Sequence, residues 1–162
     1  MTGRSDGFSI RDAVLGDEGL VCTLLGEFAA FEKAPIFRLD EAAVVRDLLD
    51  SARAAQCGLA FLGEEPAGVM VWFWSYRSFR AQRGLFVEDI YVRPQFRGQG
   101  LGTALLAYLA AAAQREGAFL EWLVLDWNSA AIDFYRGLGA VPVPEWLSYR
   151  LEGEALARLA AG

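Results

Sequence analysis

The chain contains no histidine. That absence excludes Ser–His–Asp and Cys–His nucleophilic sites, zinc sites built on imidazole, and any imidazole proton shuttle. Cysteine is scarce: Cys22 and Cys57 stand in unrelated contexts, with no metal-ligand spacing and no framework of bridges, so no metal is expected. An excess of positive charge is also missing. Fifteen basic against 21 acidic residues leave a net charge of −6, which argues against non-specific nucleic-acid binding and permits a cationic substrate. The longest apolar run, Ala104–Ala113, falls far short of a membrane span. The opening MTGRSDGFSI lacks the apolar core of a signal peptide, so a cytoplasmic location with no membrane partner is expected.

What is present suits a globular domain. The 162 residues are 54% hydrophobic and 22% charged, enough for one sizeable core. Residues 8–161 read as a single domain and Met1–Gly7 as a flexible N-terminus. Phe8–Arg11 alternates as a first strand. Asp17 opens a helix to about Phe31, which Pro35 stops from continuing. Asp40 caps a second helix, Glu41–Ala52. Leu59–Leu62, Ala67–Tyr76 and Leu85–Val92 read as an antiparallel meander. A major helix runs from about Gly100 to Glu116. Leu120–Leu125 has the continuous apolar character of a buried, parallel neighbour. Asn128 or Ser129 caps a helix to Arg136, and Pro142 and Pro144 interrupt the segment after it. Trp146–Leu151 reads as a last strand and Gly153–Ala161 as a terminal helix. This order implies an α/β (α+β) fold, a mixed and mostly antiparallel sheet with helices on both faces.

The chemistry concentrates in Leu85–Leu106, LFVEDIYVRPQFRGQGLGTALL. It reads as a strand, a glycine-rich turn and the start of a helix whose apolar face carries Leu101, Leu105, Tyr108, Leu109 and Ala112. A helix start presents unpartnered N–H groups and partial positive charge, which suits a phosphate. Glycines let the backbone approach such an anion closely, and Arg97 adds a permanent cation. The turn is neither a dinucleotide fingerprint nor a P-loop, because its spacing is Arg-x-x-Gly-x-Gly and no Lys comes after it. After "YVRPQFRG", that spacing resembles the pyrophosphate loop of the GCN5-related N-acetyltransferases, the GNAT family. The resemblance implies acetyl-CoA as co-substrate, held by Arg97, Gly98, Gln99, Gly100, Leu101 and Gly102. It also implies pantetheine contacts from the backbone of Ile90, Tyr91 and Val92, in a cleft between Leu85–Val92 and Leu120–Leu125.

A second signature lies downstream. Leu123-Val-Leu-Asp-Trp-Asn128 precedes a helix carrying Phe134-Tyr135 and ending in Gly139-Ala, which is also similar to the GNAT family. Carried over, Asn128 contacts the cofactor arm and Tyr135 protonates the departing thiolate. A tyrosine hydroxyl, ordinarily titrating near 10, holds its proton at neutral pH. Asn128 also reads as an ordinary N-cap, and Tyr135 as a core aromatic of its helix. Phe31-Glu32, Leu85-Phe-Val-Glu88-Asp89 and Asp126-Trp127-Asn128 resemble the spermidine/spermine (diamine) N-acetyltransferase branch. There the matching acids line the amine site, which places Phe31, Glu32, Glu88, Asp89 and, at the C-terminal side, Trp146 around the acceptor.

The reaction asks for such groups. An alkyl ammonium must lose a proton before it attacks a thioester, and a carboxylate can take it. Glu88 is expected to remove that proton, with Glu32 and Asp89 holding the substrate, though the roles of Glu88 and Asp89 can be exchanged. Neighbours on an undistorted strand face opposite sides, so both serve one site only if a bulge re-aims one. Three arginines, Arg77, Arg80 and Arg83, lie near the expected entrance, where they repel a long polycation and attract a carboxylate. The expected activity is transfer of acetyl to a small di- or polyamine or a lysine-like amine, by a homodimer. Other acceptors (an amino acid, an antibiotic amine, a protein N-terminus), a non-catalytic coenzyme-A sensor and a nucleotide-binding protein are the rivals.

Overall fold

Six strands pair in chain order into one sheet. The computed structural model describes residues 2–5, 7–145 and 147–162. The strands are β1 (Thr2–Ser5), β2 (Phe8–Asp12), β3 (Gln56–Leu62), β4 (Glu65–Arg77), β5 (Gln82–Val92) and β6 (Phe119–Trp122). The first five run antiparallel, and only β6 lies parallel to its neighbour. The chain divides into two compact units, Met1–Leu123 and Val124–Gly162, the first holding the whole sheet.

Alternation along the strands builds two cores, one on each face. Phe8, Ile10, Met70, Trp72, Leu85 and Val87 pack against α3 (Leu101–Arg115), which buries Leu101, Leu105, Leu109 and Ala112. On the opposite face Leu59, Val69, Val71 and Tyr91 meet Val21, Leu24 and Leu25 of α1 (Glu18–Phe31) and Val44 of α2 (Glu41–Val44). Helices on both faces of a mixed sheet are thus what the sequence implies. Among the described residues no helix is long and apolar enough to cross a membrane.

Several boundaries differ from expectation, each for a physical reason. Thr2–Ser5, expected within a flexible terminus, is a strand in register with β2, Thr2 opposite Arg11; Met1 and Asp6 lie outside the described residues. Asp17 stands at the start of α1, yet its carboxylate takes the Val14 amide and a two-pronged bond from Arg11 rather than capping the helix. Asp40 does cap α2, accepting from the Ala43 amide at 2.8 Å. That helix then widens into a π-turn, Val45–Leu49, closed by the Asp50 amide on the Val45 carbonyl, and does not reach Ala52. β6 is shorter than Leu120–Leu125 because its partner stops offering a regular edge. In the second unit α4 (Ser129–Gly137) and α5 (Gly153–Ala160) form as read. No last strand forms among residues 147–151; Pro142 and Pro144 each withhold a ladder donor just before it.

Candidate active site

β5 changes its facing partway along. Trp72 pairs with Val87 but Val71 pairs with Asp89, so Glu88 is an extra residue at a β-bulge. Before the bulge, Leu85 and Val87 face the α3 core; after it, Ile90 and Val92 face that core and Tyr91 faces α1. One inserted residue reverses the parity of everything beyond it. Asp89 therefore joins Val71 and Tyr91 on the α1 face, where an unbroken strand would have sent it to the α3 face. The parallel pairing of β5 with β6 also ends at Val87 opposite Trp122. From Glu88 to Val92, the stretch expected to hold pantetheine through Ile90, Tyr91 and Val92, β5 has no strand beside it on that edge among the described residues.

The re-aimed acid lies within electrostatic reach of the end of α1. Glu32 directly follows α1, and its charge is felt at Asp89. Burial pushes the Asp89 carboxyl up to about 6, and repulsion from Glu88 and then Glu32 adds to it. Burial raises Glu32 as well. Glu88, expected to remove the proton, is exposed at the bulge, whereas Asp89 is half-buried. No ion pair forms on any of the three acids among the described residues, so the cluster is open to a cation.

Next along the chain is a second pocket wall of opposite character. An open pocket of about 630 Å³ lies between α1 and the end of β5, lined among others by Glu27, Phe31, Tyr91, Arg93, Gln95 and Arg97. Glu27 takes two bonds from Arg93, at 2.7 and 2.9 Å, and Arg93 also donates to the Pro66 carbonyl at 3.0 Å. Arg93 holds the Glu27 carboxyl below its usual range. The Arg97 guanidinium lies on the Phe31 ring, 4.6 Å from its centre, and 5.8 Å from that of Tyr91. Its Nε donates to the Val92 carbonyl at 2.9 Å. Sequence reasoning missed Glu27 and Arg93. Glu27 sits one helical turn before Phe31, a spacing that places both on one face of α1.

The glycine turn has the form of an anion cradle. Gly98 and Gly100 have φ of 72° and 84°, and a Cβ at either would meet nothing within 4 Å. No side chain caps α3 at Gly100, which leaves the helix's first amides to water or a ligand. A pyrophosphate fits those features. The Arg97 amide, by contrast, is spent on the Pro94 carbonyl at 3.2 Å, and Gln99 ties its side chain to the Gln95 carbonyl.

The remaining expected residues are placed less tellingly. Arg77 grips Glu121 at 2.6 Å and Arg83 grips Glu116 at 2.9 Å, so two of the three hairpin arginines are neutralised rather than free at an entrance. In the second unit the Asn128 side chain caps α4, accepting from the Ala131 amide at 3.2 Å. Tyr135 is half-buried with its ring 5.4 Å from that of Phe134. Trp146 lies outside the described residues. Cys57 is buried, its thiol pushed up to about 12 mainly by desolvation, which makes it inert as a nucleophile.

A bulged central strand, an uncapped helix start behind a glycine turn and an open acid cluster are the parts of an acyl-transferring site. Residues 25–140 match the acetyltransferase (GNAT) family. The chain belongs to that family and is an acetyl-CoA-dependent N-acetyltransferase. It is 34% identical to thialysine N-epsilon-acetyltransferase of Bos taurus, over 93% of this chain and 96% of the relative. It is 28% identical to spermidine/spermine N(1)-acetyltransferase-like protein 1 of Homo sapiens, over 96% of this chain and 24% of that longer protein. An integron cassette protein from the mobile metagenome of V. cholerae shares the fold, with a TM-score of 0.75 at 22% identity over 98% of this chain and 100% of the other.

Proposed function

We propose that the enzyme acetylates the primary amine of a lysine-like amino acid or small diamine by direct attack, with Asp89 as the first proton acceptor. The observation that carries this reading is the bulge at Glu88. It ends the β5–β6 pairing and turns a half-buried carboxylate toward Glu32 in one step. An acid titrating near 6 is a carboxylate at neutral pH and a stronger base than an ordinary aspartate. Glu88 and Glu32 hold the cationic acceptor. The amine nitrogen bonds to the acetyl carbon and the carbon–sulfur bond breaks. The nitrogen sheds one proton to Asp89 before attack and a second to water on collapse. Tyr135 gives its proton to the leaving thiolate and is reprotonated by solvent, so one proton leaves per turnover. The backbone of Ile90, Tyr91 and Val92 orients the donor, the amides of Gly98–Gly102 take its pyrophosphate, and Asn128 its arm. A homodimer and a cytoplasmic location belong to the same reading, and sedimentation and cell fractionation test them.

Thiol release from acetyl-CoA, measured against thialysine, lysine, putrescine, spermidine, an aminoglycoside and a peptide N-terminus, tests the acceptor class. We expect turnover with the lysine-like amines and diamines, and a fall of about tenfold or more in kcat for Tyr135→Phe. Turnover confined to the aminoglycoside or peptide rejects the acceptor; tight acetyl-CoA binding without any turnover rejects catalysis.

A further inference from the structure

We infer that Lys33 is acetylated by the enzyme's own active site, so that the chain carries an acceptor amine of its own. The inference rests on the proposed acceptor class, of which a lysine side chain is a member.

Of the 15 basic residues, 14 are arginines and Lys33 is the only lysine. A guanidinium keeps its proton and is no nucleophile toward a thioester, whereas a lysine amine becomes one on losing a proton. The chain therefore holds a single side-chain amine that can accept an acyl group. It directly follows Glu32, the acid at the end of α1 whose charge is felt at Asp89. Consecutive α-carbons lie about 3.8 Å apart, and the flexible four-carbon stem of a lysine spans more than that. Lys33 is exposed and makes no ion pair among the described residues, so no bond is broken when the stem swings toward the acids.

The backbone at Lys33 is a second, independent observation. Its φ is 56°, and among the described residues only one other non-glycine residue, Ala81, has a positive φ. Lys33 stands just past α1 in a closed C-terminal turn. Its amide donates to the Ala30 carbonyl at 3.2 Å and the Ala34 amide to the Ala29 carbonyl at 2.9 Å. Glycine is the ordinary residue there, because a Cβ is crowded in the left-handed conformation. A side chain stands at this position against local preference, at the edge of the acid cluster. The two bonds fix where the stem begins and leave its four carbons free.

The step balances with what the site already uses. The Lys33 ammonium gives one proton to the Asp89 carboxylate, its nitrogen bonds to the acetyl carbon, and the carbon–sulfur bond breaks. The second proton passes to water on collapse, and Tyr135 protonates the leaving thiolate. Ammonium and acetyl-CoA become an amide, free coenzyme A and one proton. A free amine competes for the same acids, so self-acetylation belongs to the enzyme loaded with acetyl-CoA and short of acceptor.

The test incubates the full chain with acetyl-CoA carrying an isotope-labelled acetyl group, without added amine, and reads intact mass and mapped peptides over time. Wild type, Lys33→Arg and Asp89→Asn are compared, and wild type is repeated with thialysine or putrescine present. The expected result is one label per chain, on the peptide holding Lys33, at a rate independent of protein concentration. That label is absent from Lys33→Arg, which still turns over free amines within about twofold of wild type. It forms about tenfold or more slowly in Asp89→Asn, and free acceptor suppresses it with a half-effect near the acceptor KM. No label on Lys33 in a preparation that acetylates free amines overturns the inference alone. Equal labelling in Asp89→Asn overturns it too, because acetyl-CoA then modifies an exposed amine without the site. A rate that climbs with protein concentration replaces self-acetylation by one molecule acting on another and overturns it as stated. Absence of both the label and free-amine turnover overturns the acceptor reading beneath it, and the inference with it.

Discussion

The two ends of the β5 pocket wall solve opposite problems. At Glu88–Asp89 the strand gathers acids and leaves them unpaired; at Arg93–Arg97 it gathers cations and pairs or props every one. Asp89 is pushed toward its neutral form by burial and by like charge. Arg93, at the other end, is pushed further toward its charged form by Glu27. On the proposed reading, the difference separates chemistry from support. A group that must take up and release a proton is held where its charge is disfavoured, because that brings its titration near the working pH. A group that must shape a pocket is held by a partner that cancels its charge.

The largest effect expected is from breaking the acid end. Asp89→Asn keeps the size of the side chain and removes its basicity. We expect kcat to fall by about 10²–10⁴-fold. The rise of kcat/KM through about pH 6, where the Asp89 carboxyl titrates, should disappear. Rate profiles from pH 5 to 9 for wild type, Asp89→Asn and Glu88→Gln check this. A larger loss in Glu88→Gln, with the acidic limb retained in Asp89→Asn, returns the proton to Glu88.

How far these two ends were legible in the sequence depends on the range over which each is built. The glycine turn and the start of α3 were readable because positive φ at Gly98 and Gly100 and the spacing of Leu101, Leu105 and Leu109 are local properties. The position of Asn128 as a cap is local too. The bulge was not readable, since Val-Glu-Asp-Ile carries no mark of which residue drops out of register; pairing with Val71 and Trp72 decides it. Arg97 was read as the cation of the loop that holds the coenzyme, and its seat depends on Phe31, far off in sequence at the end of α1. Arg77 and Arg83 looked free because their partners, 44 and 33 residues away, are neighbours only once β6 lies parallel to β5. Local chemistry survives in the sequence; charge compensation across the sheet does not.

Breaking the basic end should cost stability more than rate. Glu27→Gln leaves the Arg93 guanidinium, 19% exposed, with the Pro66 carbonyl as its remaining partner among the described residues. Loss of one member of a partly buried pair strands the other, and about 1–2 kcal/mol is expected here given the exposure of the carboxylate. Urea unfolding should show a lower midpoint with an unchanged slope. Glu27 titrates below its ordinary value in the fold, so its contribution is present above the unfolded value and is lost on acidification. The deficit of the variant should therefore shrink as pH falls below about 4. A deficit that persists undiminished at pH 3 means that packing of the side chain, and not its charge, supports the pocket.

The smallest effect is the most direct measure of the contrast, and it has the opposite sign. Asp89 is raised from 3.8 to about 6 in the fold. A raised acid favours folding below its unfolded value and forfeits that contribution as pH climbs through the folded one. Asp89→Asn carries no such forfeit. Below about pH 4 the two proteins should melt nearly together. Above pH 6 the variant should be the more stable, by about 1–2 kcal/mol or a few degrees in Tm. Other titrating groups do not confuse the comparison. Asp17 and Glu27, both lowered, are present in both proteins and cancel, while Glu88 and Glu32, which repel Asp89, lose that repulsion in the variant and add to its gain. A variant no more stable than wild type at pH 7.5 means that the Asp89 charge is already compensated in the free enzyme. In that case the acids are paired as fully as Arg93 is, and the two ends of the wall do not differ in the way their burial and charge imply.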